Sequence, residues 1–150
     1  MRARDIMTSD PFVITPEDPI SHAAEIMRDH EVGIIPVVDD PQARRLLGVI
    51  TDRDIAVRCV ANLHMPKCDV SRHMTGEHLH TVKPDDDVAV VIAIMKHDQV
   101  RRIPVVSDGN RLEGMISQAD LATKLGPTQP LAVEKVLESL SVRARLPGPF

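Results

Sequence analysis

The sequence predicts an α+β fold in which one β-α-β-β-α unit is written twice, followed by a helical tail. Three observations carry this. Residues 16–38 (PEDPISHAAEIMRDHEVGIIPVV) return as residues 84–106 (PDDDVAVVIAIMKHDQVRRIPVV), an offset of 68 residues with nine of twenty-three positions identical. Chance would give roughly one or two, and a fixed-period repeat sets the architecture before any local pattern does. Apolar residues recur at helical spacing in one part of each copy and run as β-branched strings in another. Each copy then closes on the same phrase, Gly48-Val49-Ile50-Thr51-Asp52-Arg53-Asp54 and Gly114-Met115-Ile116-Ser117-Gln118-Ala119-Asp120. Two copies are too few for a long solenoid. Two units with an unburied apolar face each are expected to pack on one another, with a cleft between them.

The elements follow in order. Residues 12–14 read as a short strand stopped by Thr15-Pro16. Pro19 suits a helix start, and Ile20, Ala23, Ala24, Met27 and His30 predict an amphipathic helix over 19–30, ended by Gly33. Residues 34–38 form a β-branched strand. Residues 46–51 are a second strand and 52–62 a second helix. The other copy repeats this: a strand at 79–82 and a helix at 87–98 with Val88, Val91, Ile92 and Met95 inward. A strand follows at 102–106, with a tight turn at 107–110. Residues 111–117 are the last strand, and a helix runs on to about Lys124. Residues 63–71, with Pro66, link the copies. Beyond the Gly126-Pro127-Thr128-Gln129-Pro130 break, Val133, Val136, Leu137 and Leu140 fall on one face of a helix. That tail is expected either to fold back on the module or to pack on a second subunit, and Pro147-Gly148-Pro149-Phe150 to fray. The expected domains are repeat 1 at 1–66, repeat 2 at 67–125 and the tail at 126–150.

Composition narrows the function. At 150 residues the apolar fraction of 43% suffices for a core, but there is no Trp or Tyr, and Phe stands only at Phe12 and Phe150. Single-stranded nucleic-acid binders need aromatic platforms, and a net charge of −4 gives no backbone footprint. Nucleic acid is therefore not an expected partner. No apolar run reaches membrane length and Met1–Asp10 lacks a signal-peptide core, so no membrane partner and a cytoplasmic location are expected. Two cysteines do not make a disulfide framework, and Cys59, in an apolar helical pattern, reads as a buried thiol. His78-Leu79-His80 and His64…Cys68 lack a second pair at ligand spacing, so no metal site is expected.

Chemistry concentrates at the repeated phrase. Thr51…Asp54 and Ser117…Asp120 both fit a capping box, in which hydroxyl and carboxylate exchange hydrogen bonds with the first helical turn. The same geometry also suits a nucleoside: free N–H groups and the positive dipole end face an anion, and a carboxylate accepts from a ribose diol. The glycine permits close backbone approach. No nucleophile–base pair, GxGxxG or phosphate loop is present, so no catalytic residue and no required cofactor are assigned, and the chain reads as a non-enzyme.

With its context this phrase resembles the CBS domain. The residues that carry the resemblance are Asp5-Ile6-Met7-Thr8, Val32-Gly33-Ile34-Ile35-Pro36-Val37-Val38-Asp39 and Leu47 to Ile55. Their counterparts are His73-Met74-Thr75, Val100-Arg101-Arg102-Ile103-Pro104-Val105-Val106 and Leu112 to Leu121. The match covers nearly all of residues 1–125, and a tandem pair of this kind is called a Bateman module. The resemblance implies two composite clefts for an adenosine-containing ligand such as AMP, ADP, ATP, S-adenosylmethionine or NAD, acting as a regulatory ligand. One would combine Thr51 and Asp54 with Thr81, Arg101, Arg102 and Ile103. Its two arginines suit a phosphate. The other, weaker cleft would combine Ser117 and Asp120 with Val13, Gly33, Ile34 and Ile35, and lacks the hydroxyl and the cations. It also implies a homodimer, paired through the helices, and a regulated protein whose identity the sequence does not give. The alternative is an interaction module with vestigial clefts.

Overall fold

The computed structural model describes residues 1–145. In chain order the elements are α1 (Ala3–Ile6), β1 (Thr8–Ser9), α2 (Ile20–His30), β2 (Ile34–Val38), β3 (Leu46–Thr51) and α3 (Asp52–Asp54). They continue with α4 (Val88–Asp98), β4 (Arg102–Val106), β5 (Leu112–Ser117), α5 (Gln118–Asp120) and α6 (Pro130–Arg145). Both α3 and α5 widen into π-helical turns, Ile55–Val60 and Leu121–Leu125, and a 3-10 turn covers Val70–Arg72. The chain divides into two compact units. The first-repeat unit holds Pro11–Leu79 with the turn Asp108–Leu112; the second-repeat unit holds Met1–Asp10, His80–Ser107 and the chain from Glu113 onward.

In the first-repeat unit, β2 and β3 pair antiparallel, with Ile35 opposite Ile50 and Val37 opposite Gly48, and a bulge before Val38. Ile14 joins Val37 as a single parallel bridge, and Thr75 joins Val49 on the other edge. In the second-repeat unit the sheet order is β1-β5-β4, and Val82 bridges Val105. The strands expected at 12–14 and 79–82 thus shrink to one paired residue each. A turn follows each paired residue at once: Asp18 accepts from the Thr15 N–H at 2.8 Å and Asp86 from the Lys83 N–H at 2.7 Å. Asp18/Asp86 is one of the nine repeated identities.

The leading segments are exchanged between the repeats. The Ala3 N–H donates to the Asp86 carbonyl at 2.8 Å, and β1 pairs with β5, Thr8 opposite Met115. In the other unit the Val70 N–H donates to the Asp18 carbonyl at 2.8 Å, and Thr75 and Val49 exchange two bonds of 2.9 Å. Met7-Thr8 and Met74-Thr75 are therefore docked in the same way on β5 and β3.

Gly33 is not the residue that ends α2. The left-handed turn falls on Glu31 (φ 52°), and its counterpart after α4 is Gln99 (φ 55°). α4 opens on Asp87, which accepts from the Ala89 N–H at 2.8 Å. Each unit buries an aliphatic core. Ile14, Ile20, Ala23, Ile35, Val37, Ile50, Cys59 and Val70 form one. The other is built on Ile6, Val91, Met95, Ile103, Val105, Ile116 and Leu121, and α6 completes it with Val133, Val136 and Leu140. The tail thus folds back on its own second-repeat unit. Residues 147–150, expected to fray, lie outside the described residues.

Candidate functional site

The strand-to-helix junction is built alike in both units. In the first-repeat unit Thr51 is extended (φ −114°, ψ 160°) and caps α3. Its Oγ1 accepts from the Asp54 N–H at 3.0 Å, and Asp54 Oδ2 accepts from the Thr51 N–H at 3.0 Å. Asp54 Oδ1 lies outside this box, 3.7 Å from Arg58 Nε. In the second-repeat unit Ser117 Oγ accepts from the Asp120 N–H at 3.1 Å, and Asp120 Oδ2 accepts from the Ser117 N–H at 2.7 Å. Here Oδ1 is also engaged, by Thr8 Oγ1 at 3.3 Å and Lys124 Nζ at 3.7 Å. Both carboxylates thus serve the capping box, and Asp54 keeps the less encumbered oxygen.

The glycines of the phrase are required by the protein itself. A Cβ on Gly48 would lie 2.5 Å from the Thr75 carbonyl oxygen, and one on Gly114 would lie 2.8 Å from that of Thr8. The close approach expected there is made by the exchanged Met-Thr segment.

The residues before Ile-Pro sit against these helix starts. The Gly33 carbonyl accepts from the Asp52 N–H at 3.1 Å, and Ile34 pairs with Thr51 across β2 and β3. The Arg101 carbonyl likewise accepts from the Gln118 N–H at 2.9 Å. Arg101 and Arg102 are exposed, and neither guanidinium has an ion-pair partner among the described residues. With Ser117, Gln118, Ala119 and Leu137 they line a pocket of about 350 Å³. Ile35 and Ile103 are fully buried in the two cores. Val13 and Thr81 are half-buried beside the bridging residues Ile14 and Val82. By unit, Val13, Gly33, Ile34, Ile35, Thr51 and Asp54 belong to the first repeat. Thr81, Arg101, Arg102, Ile103, Ser117 and Asp120 belong to the second.

One constellation extends a pair seen in the sequence: His73 joins His64 and Cys68. The structure brings the ligating atoms of all three within 4.8 Å of one another. The spacing H-x3-C-x4-H was the available signal. His80, by contrast, pairs with Asp98 at 3.2 Å. Burial pushes the Cys59 thiol above its ordinary range, with Cys68 adding to it. Burial also holds the His73 imidazole below its ordinary range, helped by His64, Arg72 and Arg58.

The CBS-domain family matches residues 3–60 and again residues 69–126. The chain belongs to the CBS-domain family. It is 32% identical over 123 residues to Hypoxic response protein 1 of Mycobacterium tuberculosis, covering 82% of this chain and 84% of that protein. It is 33% identical over 120 residues to inosine-5'-monophosphate dehydrogenase of Streptococcus pyogenes, covering 80% of this chain. Those residues span 23% of the dehydrogenase. Among solved structures, Hypoxic Response Protein I, described with two coordinated zinc ions, superposes with a TM-score of 0.73 at 31% identity. It covers 81% of this chain and 97% of its own. The CBS-domain pair of protein MJ0100, in complex with 5-methylthioadenosine and S-adenosyl-L-methionine, gives 0.73 at 28% identity over 85% of this chain and 97% of its own. No described helix of this CBS pair is long and apolar enough to cross a membrane.

Proposed function

We propose that this CBS pair is a regulatory module that binds an adenosine-containing ligand and signals through conformation or assembly to a protein it regulates, without chemistry of its own. The ligand class is AMP, ADP, ATP, S-adenosylmethionine or NAD. The observation that carries the reading is the pair of exposed guanidiniums of Arg101 and Arg102, which have no ion-pair partner among the described residues, in a chain whose Asp54 keeps one carboxylate oxygen outside its capping box. A ribose diol can donate to that oxygen, and the arginines can grip a phosphate bidentately. The adenosyl ligands of the MJ0100 pair support the same class.

The principal contacts are assigned to Thr51, Asp54, Thr81, Arg101, Arg102 and Ile103. A weaker set is Val13, Gly33, Ile34, Ile35, Ser117 and Asp120. Because Arg101 and Arg102 share a pocket with Ser117, the test must separate the two acids. A thermal-shift panel with AMP, ADP, ATP, S-adenosylmethionine, NAD and adenosine comes first. A ligand at a hundredfold excess over its Kd stabilises the folded chain by about 2.7 kcal/mol. Asp54→Ala is expected to abolish that shift while the protein stays folded, since a lost cap costs only about 1 kcal/mol. Arg102→Ala is expected to weaken AMP more than adenosine. No shift with any member of the panel, or an Asp54→Ala protein that binds like the parent while Asp120→Ala does not, overturns the assignment.

A homodimer belongs to this reading. Val57, Val60, Leu63 and Met65 stand 49, 63, 91 and 66% exposed at the helical end of the first-repeat unit. Exposed apolar surface of this kind marks an interaction face. Light scattering at micromolar concentration should give twice the chain mass; a monomer removes the proposal.

A further inference from the structure

We propose that His64, Cys68 and His73 form a metal site of the zinc class that staples the segment after the first repeat's last helix. The three donors lie in one unit, and their ligating atoms are within 4.8 Å of one another. The second observation is the burial of His73 itself. His73 is 1% exposed, and its Nε2 is buried without a hydrogen-bond partner. A buried polar nitrogen left unpaired is costly and calls for an explanation. A cation supplies it, because a neutral imidazole offers a lone pair.

The backbone holds the donors in place. The His64 N–H donates to the Cys59 carbonyl at 3.0 Å, and the Cys68 N–H to Met65 at 2.9 Å, turning the chain around Pro66. The Ile20 N–H fixes the Cys68 carbonyl at 2.8 Å, and the His73 N–H closes the 3-10 turn on Val70 at 2.9 Å. The His64 and His73 rings are 5.1 Å apart and tilted by 49°. Two imidazoles and a thiolate favour zinc over hard, oxygen-seeking cations. Bond lengths of about 2.0–2.3 Å place tetrahedral donors roughly 3.5 Å apart, against the 4.8 Å within which these three donor atoms lie. Cys59 stands beside the cluster, but its thiol faces the His64 carbonyl at 3.8 Å. It is therefore not counted among the donors, and the fourth position is open. A groove of about 440 Å³ that His64 helps to line gives access from solvent.

The test uses the full, tag-free chain, stripped with a chelator and then dialysed against zinc alone. Elemental analysis should return one zinc per chain, and cobalt(II) in its place should give tetrahedral visible bands with a thiolate charge-transfer band. His64→Ala and Cys68→Ser lie at exposed and half-buried positions and should stay folded by circular dichroism. They are expected to lose stoichiometric metal, and Cys68→Ser the charge-transfer band. His78→Ala/His80→Ala should bind like the parent. Failure of the parent to retain zinc overturns the proposal. So does retention by His64→Ala/Cys68→Ser, or loss in His78→Ala/His80→Ala instead.

Discussion

In the second-repeat unit α6 lies across α4 and the Leu121–Leu125 turn, and Val133, Val136 and Leu140 fall to 5, 0 and 3% exposure. In the first-repeat unit the matching turn, Ile55–Val60, leaves Val57 at 49% and Val60 at 63%. A groove bounded by Ile20, Ala24, Ile55 and Val60 stays open there. The two units share their strand pairing, their caps and their exchanged Met-Thr segments, yet they differ in what covers their helices. Duplication copied the scaffold, and a tail outside the repeat covered one copy of it. The same asymmetry holds at the strand starts, where Arg101-Arg102 stands for Gly33-Ile34. Local hydrogen bonding thus keeps the units alike, while side chains free of that bonding diverge.

Leu140→Ala should break the comparison most severely. It deletes a buried side chain of the tail, and large-to-small changes at such sites cost about 2–5 kcal/mol in denaturant unfolding. A loss under about 1 kcal/mol would mean that α6 is not part of the core. Gly48→Ala and Gly114→Ala come next. Each drives a Cβ to within 2.8 Å of a backbone oxygen, and overpacking of that kind costs about 1–3 kcal/mol. The two should destabilise alike; if only one does, the exchanged segments are not docked equivalently. Thr51→Ala and Ser117→Ala remove one cap each and should cost about 1 kcal/mol apiece. Smallest is Val60→Ala, which in a monomeric sample should change stability by less than about 0.5 kcal/mol. A larger effect that grows with protein concentration would place Val60 in a self-association interface.

Much of this was legible in the chain. The strands at 34–38, 46–51 and 102–106 carry the bounds expected from the sequence. The capping boxes were legible because they join residues three apart, and the inward positions of α4 and α6 followed from helical spacing. Other features were hidden. The first strand of each repeat keeps one paired residue, Ile14 or Val82, because pairing there depends on a neighbouring strand that local sequence does not show. The left-handed turn fell on Glu31, where nothing in the residue type announces it. The closeness that Gly48 and Gly114 permit is to a segment distant in sequence.

From the order of residues alone it follows that there are two like units, which residues begin their last helices, and that their cores are aliphatic. Each of these rests on contacts between residues a few positions apart or on the repeat itself. Long-range packing settles which leading segment docks on which sheet, which unit α6 covers, and that His73 joins His64 and Cys68. Those outcomes depend on which apolar faces and unpaired backbone groups find one another across the folded chain, and no local spacing encodes that choice.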